Sequence, residues 1–321
     1  MKREALKAQT MGRRMFLARA AAISGLGMGA LSPARAGTAG RLKIAVFSGM
    51  FKTAPLQTAM AQAAKIGYDA IEIQVAAGSP HLDIDPSPQR ADEIKKMAAD
   101  SGIEVCLIYT PIGGNVLAGQ AQREKGLDDV TRFLEIADRA SCKMLKVTAG
   151  RLKNSAYRDD EARIVAEWLA AACDRAGKHG SRIVAEIHFG QYCETVAMAR
   201  KIIDLVDRKN FGVIHDAGNL MITGDIYGED SVKILGDRIF HVHVKDMVRV
   251  GAEDPVGHDY VAGRFKRAPL NEGNVDHRPL FAALKKIGFG GYLSCEATGG
   301  DDPAAVAKHE FDEVVRLLGP A

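Results

Sequence analysis

Four ionisable residues stand where buried strands are expected to end. Glu186, Asp216, His243 and Glu296 each lie at or near the end of a short apolar run. A lone buried carboxylate is costly, but four such groups around one divalent cation would compensate one another. This oxygen-rich set favours Mn²⁺, Mg²⁺ or Co²⁺ over a structural zinc, which prefers Cys and His. We therefore predict a site for one divalent ion, with Mn²⁺ first and Zn²⁺ as an alternative, although four unrelated strand ends would give the same pattern.

The segments that must position these residues alternate between short apolar runs and amphipathic stretches. Strands are predicted at Lys43–Phe47, Ala70–Val75, Glu104–Tyr109, Met144–Thr148, Ile183–His188, Gly212–His215, Ile239–Lys245 and Tyr292–Glu296. Helices are predicted at Leu56–Ile66, Pro88–Asp100, Arg123–Ala140, Asp159–Lys178, Thr195–Asp207, Ser231–Leu235, Pro279–Ile287 and Pro303–Leu318. Strands that are apolar on both faces are typical of a parallel sheet covered by helices.

Eight such units without a Pro- or Gly-rich linker predict one (β/α)₈ barrel, a TIM barrel, over residues 37–321. An open doubly wound sheet is the alternative, and the lack of a GxGxxG turn after the first strand disfavours it. The stretch from Arg249 to Asn274 has no clear element. Because it follows the seventh strand, we expect a long loop at the C-terminal face, where barrel enzymes carry their chemistry.

Residues 1–36 have the pattern of an export signal. The pair Arg13-Arg14 precedes Phe16-Leu17, then an apolar Gly- and Ala-rich stretch, then a small-x-small site ending at Ala36. The apolar stretch is too short for a membrane span, which needs about 20 residues. We predict a twin-arginine signal that engages the Tat translocase, is cleaved after Ala36 and delivers a periplasmic protein without stable membrane insertion. A disordered basic N-terminus is the alternative.

Composition adds mainly exclusions. The net charge is only +3, with part of the excess in the first few dozen residues, so nothing indicates nucleic-acid binding. The sequence has five cysteines, an odd number, and no pair has CxxC spacing, so a disulfide framework is not expected.

Six short motifs resemble one known family in their order along the chain. They are Gly67-Tyr-Asp-Ala-Ile-Glu72, Ala185-Glu-Ile-His188, Asp216-Ala-Gly-Asn219, His241-Val-His-Val-Lys-Asp246, Glu272-Gly-Asn-Val-Asp276 and Gly288-Phe-Gly-Gly-Tyr-Leu-Ser-Cys-Glu296. The set is similar to the xylose isomerase-like barrels of the sugar phosphate isomerase/epimerase family, which includes ketose 3-epimerases, hydroxypyruvate isomerase and inosose dehydratases. The resemblance covers residues 42–318.

The resemblance implies roles for individual residues. Glu186, Asp216, His243 and Glu296 would hold the metal, and the two glutamates would also exchange a proton with the carbon beside the substrate carbonyl. Substrate contacts are expected from His188, Lys245, Asn219, Glu72 and Arg249. For Glu72, an ordinary strand-end carboxylate is an equal alternative.

Two positions depart from the ketose 3-epimerases. Asn219 stands where those enzymes usually carry a histidine, and Tyr192 stands where they carry an acidic residue. The sequence also lacks the pattern of extra metal-binding histidines that is expected of the related three-metal DNA-repair endonucleases.

The leading functional prediction is a divalent-metal-dependent sugar or keto-sugar isomerase or epimerase that works through an enediolate. A keto-sugar or inosose dehydratase, or a 3-keto-glycoside lyase, would use the same site. A periplasmic sugar-binding barrel without turnover is the alternative from another class. The resemblance also implies a homo-oligomer.

Overall fold

The computed structural model describes residues 41–153, 156–297 and 300–319. The predicted export signal lies outside the described residues. In the part of the chain that is described, no helix combines the length and apolar character needed to cross a bilayer.

Eight parallel strands close into a barrel, which confirms the predicted fold. The strands are β1 (Lys43–Phe47), β2 (Ala70–Gln74), β3 (Glu104–Tyr109), β4 (Met144–Val147), β5 (Arg182–Glu186), β6 (Phe211–Asp216), β7 (Ile239–Val244) and β11 (Tyr292–Cys295). Their order around the ring is β1-β11-β7-β6-β5-β4-β3-β2.

Helices surround the ring. They are α1 (Leu56–Ile66), α2 (Gln89–Ser101), α3 (Gln120–Arg139), α4 (Asp159–Gly177), α5 (Val196–Val206), α6 (Ala217–Thr223), α7 (Glu229–Leu235), α8 (Arg278–Lys286) and α9 (Pro303–Leu318). Short 3₁₀ turns cover Ser48–Phe51, Val116–Ala118 and Gly236–Arg238. The main apolar core lies where the inner faces of these helices pack on the outer face of the strands.

The expectation of a structureless loop after the seventh strand was wrong. A three-stranded antiparallel sheet, the cap sheet, occupies this stretch with β8 (Asp246–Arg249), β9 (His258–Tyr260) and β10 (Gly263–Ala268). Its strands are short and rich in charged residues, so they lack the apolar runs that revealed the barrel strands. The short helix α6 was also missed.

Side chains inside the barrel form layers. The lower layer is apolar and small to medium in size: Ala45, Ala70, Leu107, Met144, Val184 and Ile214. Two residues further along each of these strands, the same inward face carries mostly polar side chains: Phe47, Glu72, Tyr109, Lys146, Glu186 and Asp216. The apolar layer therefore supports a polar layer at the C-terminal end of the ring.

Candidate metal centre and active site

The four predicted ligands lie at the ends of four strands that are neighbours in the barrel. Glu186 and Asp216 are the last residues of β5 and β6, His243 lies near the end of β7, and Glu296 directly follows β11. Asp216 and His243 are direct neighbours in the register of β6 and β7. The parallel topology thus brings residues from distant parts of the sequence to one side of the C-terminal rim.

One nitrogen lies at the centre of this cluster. The Nδ1 atom of His243 is 3.3 Å from Glu186 Oε1, 3.6 Å from Asp216 Oδ2 and 3.5 Å from Glu296 Oε2. All four donor atoms lie within 4.8 Å of one another. Two ligands about 2.1 Å from a shared ion lie roughly 3.0 to 3.4 Å apart, from octahedral to tetrahedral geometry. The spacing and the donor types therefore fit one divalent ion, held by the four residues that we call the cluster.

Burial within the cluster is uneven. The side chains of Asp216, His243 and Glu186 are at most 2% exposed, whereas that of Glu296 is 16% exposed. Glu296 is thus the member of the cluster that solvent or a small molecule can most readily reach.

Glu72 holds the far side of the His243 ring. Its carboxylate lies 3.1 Å from His243 Nε2, 3.0 Å from His241 Nε2 and 2.8 Å from the Ser294 hydroxyl, which donates to it. A carboxylate can only accept, so His243 Nε2 carries a hydrogen and Nδ1 can face the cluster with its lone pair. Burial would raise the pKa of Glu72, but the field of His243 and these hydrogen bonds lower it to about 2.

Glu186 is held by two neutral donors. The Tyr109 hydroxyl donates to Oε2 at 2.5 Å, and the Asn219 side-chain amide donates to Oε1 at 3.0 Å. Burial, and then the charge of Glu186, raise the pKa of Tyr109 well above its usual value, so the phenol stays protonated and remains a donor. The Asn219 backbone N–H donates to Asp216 Oδ1, and this bond caps the start of α6.

Two cations contact the open side of the cluster. Lys245 Nζ lies 2.7 Å from Asp216 Oδ2 and 2.9 Å from Glu296 Oε2. Arg267 donates to Glu296 Oε1 at 2.7 Å and to its carbonyl oxygen at 2.6 Å. The three carboxylates of the cluster and Glu72 behind it carry four negative charges against the two positive charges of Lys245 and Arg267, so a divalent ion would offset remaining negative charge.

The charges shift the pKa of the groups they surround. Burial opposes ionisation of Glu296, but Lys245 and then Arg267 outweigh it and lower the pKa of Glu296 to about 2. Burial would also lower the pKa of His243, yet the carboxylates, with Glu72 foremost, raise it well above its usual value. Protons and a metal ion therefore compete for the same His243 nitrogen.

A cavity of about 830 Å³ opens beside the cluster. Its wall includes His188, Asn219, Lys245 and Arg267, and it continues along the cap sheet and the start of α9. Lys245 and Arg267 line this cavity and contact Glu296, so a small molecule here would lie beside the residues that border the cluster.

The structure places the predicted substrate-contact residues differently: three line the cavity, Glu72 lies behind the cluster, and Arg249 lies outside it. His188, Asn219 and Lys245 line the cavity, as a contact role requires. Glu72 is fully buried and faces His243 instead, so the structure places it behind the cluster.

Arg249 lies outside the cluster. Its exposed guanidinium stacks on the Phe265 ring at 4.6 Å from the centroid. Among the described residues, no hydrogen bond or ion pair joins this guanidinium to the cluster. Arg267, on the neighbouring strand β10, is the arginine that reaches Glu296.

Several residues of the site were missed by sequence reasoning. Tyr109 and Lys146 end or nearly end β3 and β4, so the strand-end rule that found the ligands could have found them. Lys146 lies 4.1 Å from the centroid of the Tyr109 ring, and burial lowers its pKa to about 8. Arg267 had no such signal because the strand that carries it was not predicted.

Comparison with known proteins fits this architecture. The chain belongs to the xylose isomerase-like TIM barrel family, whose model matches residues 60–316. An inosose dehydratase of Lacticaseibacillus casei is 30% identical over 165 residues, 48% of this chain and 52% of that protein. The chain thus spans about half the length of that relative.

Two further comparisons cover more of the chain. A putative L-ribulose-5-phosphate 3-epimerase of Escherichia coli K12 is 23% identical over 238 residues, 72% of this chain and 79% of the relative. The crystal structure of the IolI protein with a zinc atom matches with a TM-score of 0.71 at 18% identity, covering 86% of this chain and 98% of that one. This structural likeness shows the shared fold.

Proposed function

We propose that this protein is a divalent-metal-dependent sugar or keto-sugar isomerase or epimerase that transfers a proton through an enediolate. One observation carries the proposal. Glu186 Oε1 and Glu296 Oε2 lie 3.3 and 3.5 Å from the same His243 nitrogen, although their strands, β5 and β11, are separated by β6 and β7 in the barrel. The two carboxylates therefore converge on one small volume, and inversion by proton exchange would use them on the two faces of one substrate carbon.

The cluster would hold one divalent ion, with Mn²⁺ as the first choice because oxygen donors predominate. When bound, such an ion polarises the substrate carbonyl and stabilises the negative charge of the enediolate. The 16% exposure of Glu296 supports a role in which its carboxylate both holds the ion and reaches the substrate.

The protein's own side chains would handle the proton. One glutamate takes it from the carbon beside the carbonyl, and the other returns it from the opposite face. Tyr109 and Asn219 fix the carboxylate of Glu186, while Arg267 fixes that of Glu296. His188 and Lys245, on the cavity wall, would bind substrate oxygens.

A dehydratase is the second candidate, and Lys245 is the observation that favours it. Its Nζ lies 2.9 Å from Glu296 Oε2, and Lys245 also lines the cavity. A protonated amine beside the base could protonate a departing hydroxyl group. Simple epimerisation has no leaving group and needs no such acid. The partial match to an inosose dehydratase agrees with this candidate.

We also propose that residues 1–36 direct export by the twin-arginine route, so that the substrate is met in the periplasm. The Arg13-Arg14 pair and the small-x-small site ending at Ala36 support this proposal.

The test is solvent-deuterium exchange. The metal-loaded protein is incubated in D₂O with free ketoses, inososes and 3-keto-glycosides, and the products are analysed by NMR. We expect deuterium beside the carbonyl, with a C-epimer as the product of an epimerase and an unsaturated ketone as the product of a dehydratase. Glu296→Gln should retain the fold and part of the metal binding but lose the exchange, whereas the exposed control Glu104→Gln should exchange normally. Exchange by Glu296→Gln at the wild-type rate would refute the role of Glu296, and no exchange with any compound would favour a binding protein.

A further inference from the structure

The wall of the cavity beside the cluster carries both polar and apolar side chains. Lys245 and Arg267 line it and contact Glu296. The other polar lining side chains are His188, Asn219, His258, Lys266, Glu272, His309 and Glu310. The larger apolar lining side chains come from the loop after β5, from α6, from the cap sheet and from α9, and they are Phe189, Ile222, Met247, Val256, Tyr260 and Val306.

The size of the cavity exceeds the need of one sugar ring. At about 830 Å³ it lies near the upper end of the roughly 300–1,000 Å³ range of small-molecule pockets. A single monosaccharide at the cluster would leave the part of the cavity around Phe189 and Tyr260 filled with water. An occupant that extends to these two rings must offer apolar surface to them.

Two aromatic rings define the apolar end. Phe189 and Tyr260 meet edge to face, with ring centroids 5.5 Å apart and planes at 83°. Tyr260 also packs against Phe265 at 6.5 Å, which anchors its ring to the buried face of the cap sheet. Neither Phe189 nor Tyr260 is fully buried, so both can offer ring surface to a third aromatic group.

We propose that this apolar end is a second subsite that binds an aromatic substituent attached to the keto-sugar. The inference rests on the proposed function, because the keto-sugar itself must lie at the cluster. It narrows the substrate class to aryl glycosides of a keto-sugar, with the sugar at Glu296 and the aromatic group packed against the Phe189–Tyr260 pair. The predicted loop, now seen to be the cap sheet, would thus select the substrate.

The test compares two ligands that differ only in the substituent. Calorimetry on the Mn²⁺-loaded protein measures the Kd of the phenyl and methyl glycosides of a 3-keto-hexose. We expect the phenyl compound to bind about tenfold more tightly, the scale of one added aromatic contact. Tyr260→Ala should reduce this ratio to near one, while Tyr260→Phe, which keeps the ring, should preserve it. Leu205→Ala, a change at an exposed apolar residue of α5, is the control for general effects.

Three results would overturn the subsite: equal affinities in the wild type, a phenyl preference that survives in Tyr260→Ala, or tighter binding of a disaccharide than of the phenyl compound. Deuterium exchange on the same two ligands separates this inference from the proposed function. Exchange without a phenyl preference would reject the subsite and retain the enzyme. A phenyl preference without exchange would retain the subsite and reject the proton-transfer chemistry.

Discussion

Glu72 controls which nitrogen of His243 can bind a metal ion, so we expect Glu72→Gln to weaken metal binding. Oε2 of Glu72 accepts from Ser294 at 2.8 Å and lies 3.0 Å from His241 Nε2, while His243 Nε2 lies 3.1 Å from Oε1 and 3.2 Å from Oε2. A glutamine at this position has one oxygen and one NH₂ group. If the oxygen takes the Oε2 position and keeps Ser294 and His241, the NH₂ group lies at the Oε1 position, 3.1 Å from His243 Nε2.

That change should favour the other tautomer of the imidazole. An NH₂ group beside Nε2 repels a hydrogen there and favours a ring hydrogen on Nδ1, the atom that faces the cluster. Losing a carboxylate partner behind a metal-bound histidine typically costs 10–100-fold in metal affinity, or about 1.4–2.7 kcal/mol. Glu72 has 0% exposure, so water cannot replace the lost acceptor, and we expect a result toward the upper end.

The assay is calorimetric titration of the metal-free protein with MnCl₂ at fixed pH. Glu104→Gln is the matched control, because Glu104 begins β3 at the exposed end of the barrel. Ser294→Ala removes a donor to Glu72 without touching His243 and should cost much less. If Glu72→Gln folds with normal circular dichroism and binds Mn²⁺ with the wild-type Kd, the tautomer reasoning is refuted.

Three further predictions concern charge. Burial raises the pKa of Glu310 to about 7 from its usual 4.5, so its stabilising contribution is complete below pH 4.5 and is lost as the pH rises through 7. Glu310→Gln should therefore increase the free energy of unfolding by up to about 3 kcal/mol at pH 8 and by little at pH 4.5, as read from urea unfolding; equal effects at both pH values would contradict this. Arg267→Met should slow deuterium exchange about tenfold or more and move the acidic limb of its pH–rate profile upward, since Arg267 helps to lower the pKa of Glu296; an unshifted profile would leave Arg267 a structural role only. Lys245→Met should tighten Mn²⁺ binding about tenfold in calorimetry, because a competing ammonium leaves the cluster, and weaker binding would show that Lys245 supports the ion instead.

The barrel could be predicted from the sequence because its strands are buried on both faces. That burial produces the continuous apolar runs of β1 to β7 and β11, and polar residues at the ends of those runs stand out. The predicted strand ends differ from those in the structure by at most two residues. His188, Lys245 and Glu296 lie just past the last strand residue, where loop geometry sets their direction.

The cap sheet could not be predicted in the same way. Its strands have three to six residues and include Arg249, Arg264 and Lys266, so neither length nor alternation marks them. The choice between two arginines depended on this sheet. Arg249 pairs with Phe265 in the register and stacks on its ring, whereas Arg267 extends to Glu296, and no spacing in the sequence distinguishes them.

The role of Glu72 could not be inferred either. Glu72 is the third of the five residues of β2, and its sequence context left a substrate contact and an ordinary strand-end carboxylate as equal alternatives. Its contact with His243 joins residues 171 positions apart across the closed barrel. Only the closure of the ring, with β1 paired to both β2 and β11, brings that pair together.

Anomalous scattering at the manganese edge, from crystals grown with MnCl₂, would show whether Glu186, Asp216, His243 and Glu296 bind one divalent ion. We predict a single strong peak about 2.1 Å from His243 Nδ1 and from an oxygen of each carboxylate, with the Lys245 ammonium displaced from the shared oxygens. A cluster without a peak, in which Lys245 Nζ still bridges Asp216 and Glu296 at saturating Mn²⁺, would contradict this prediction.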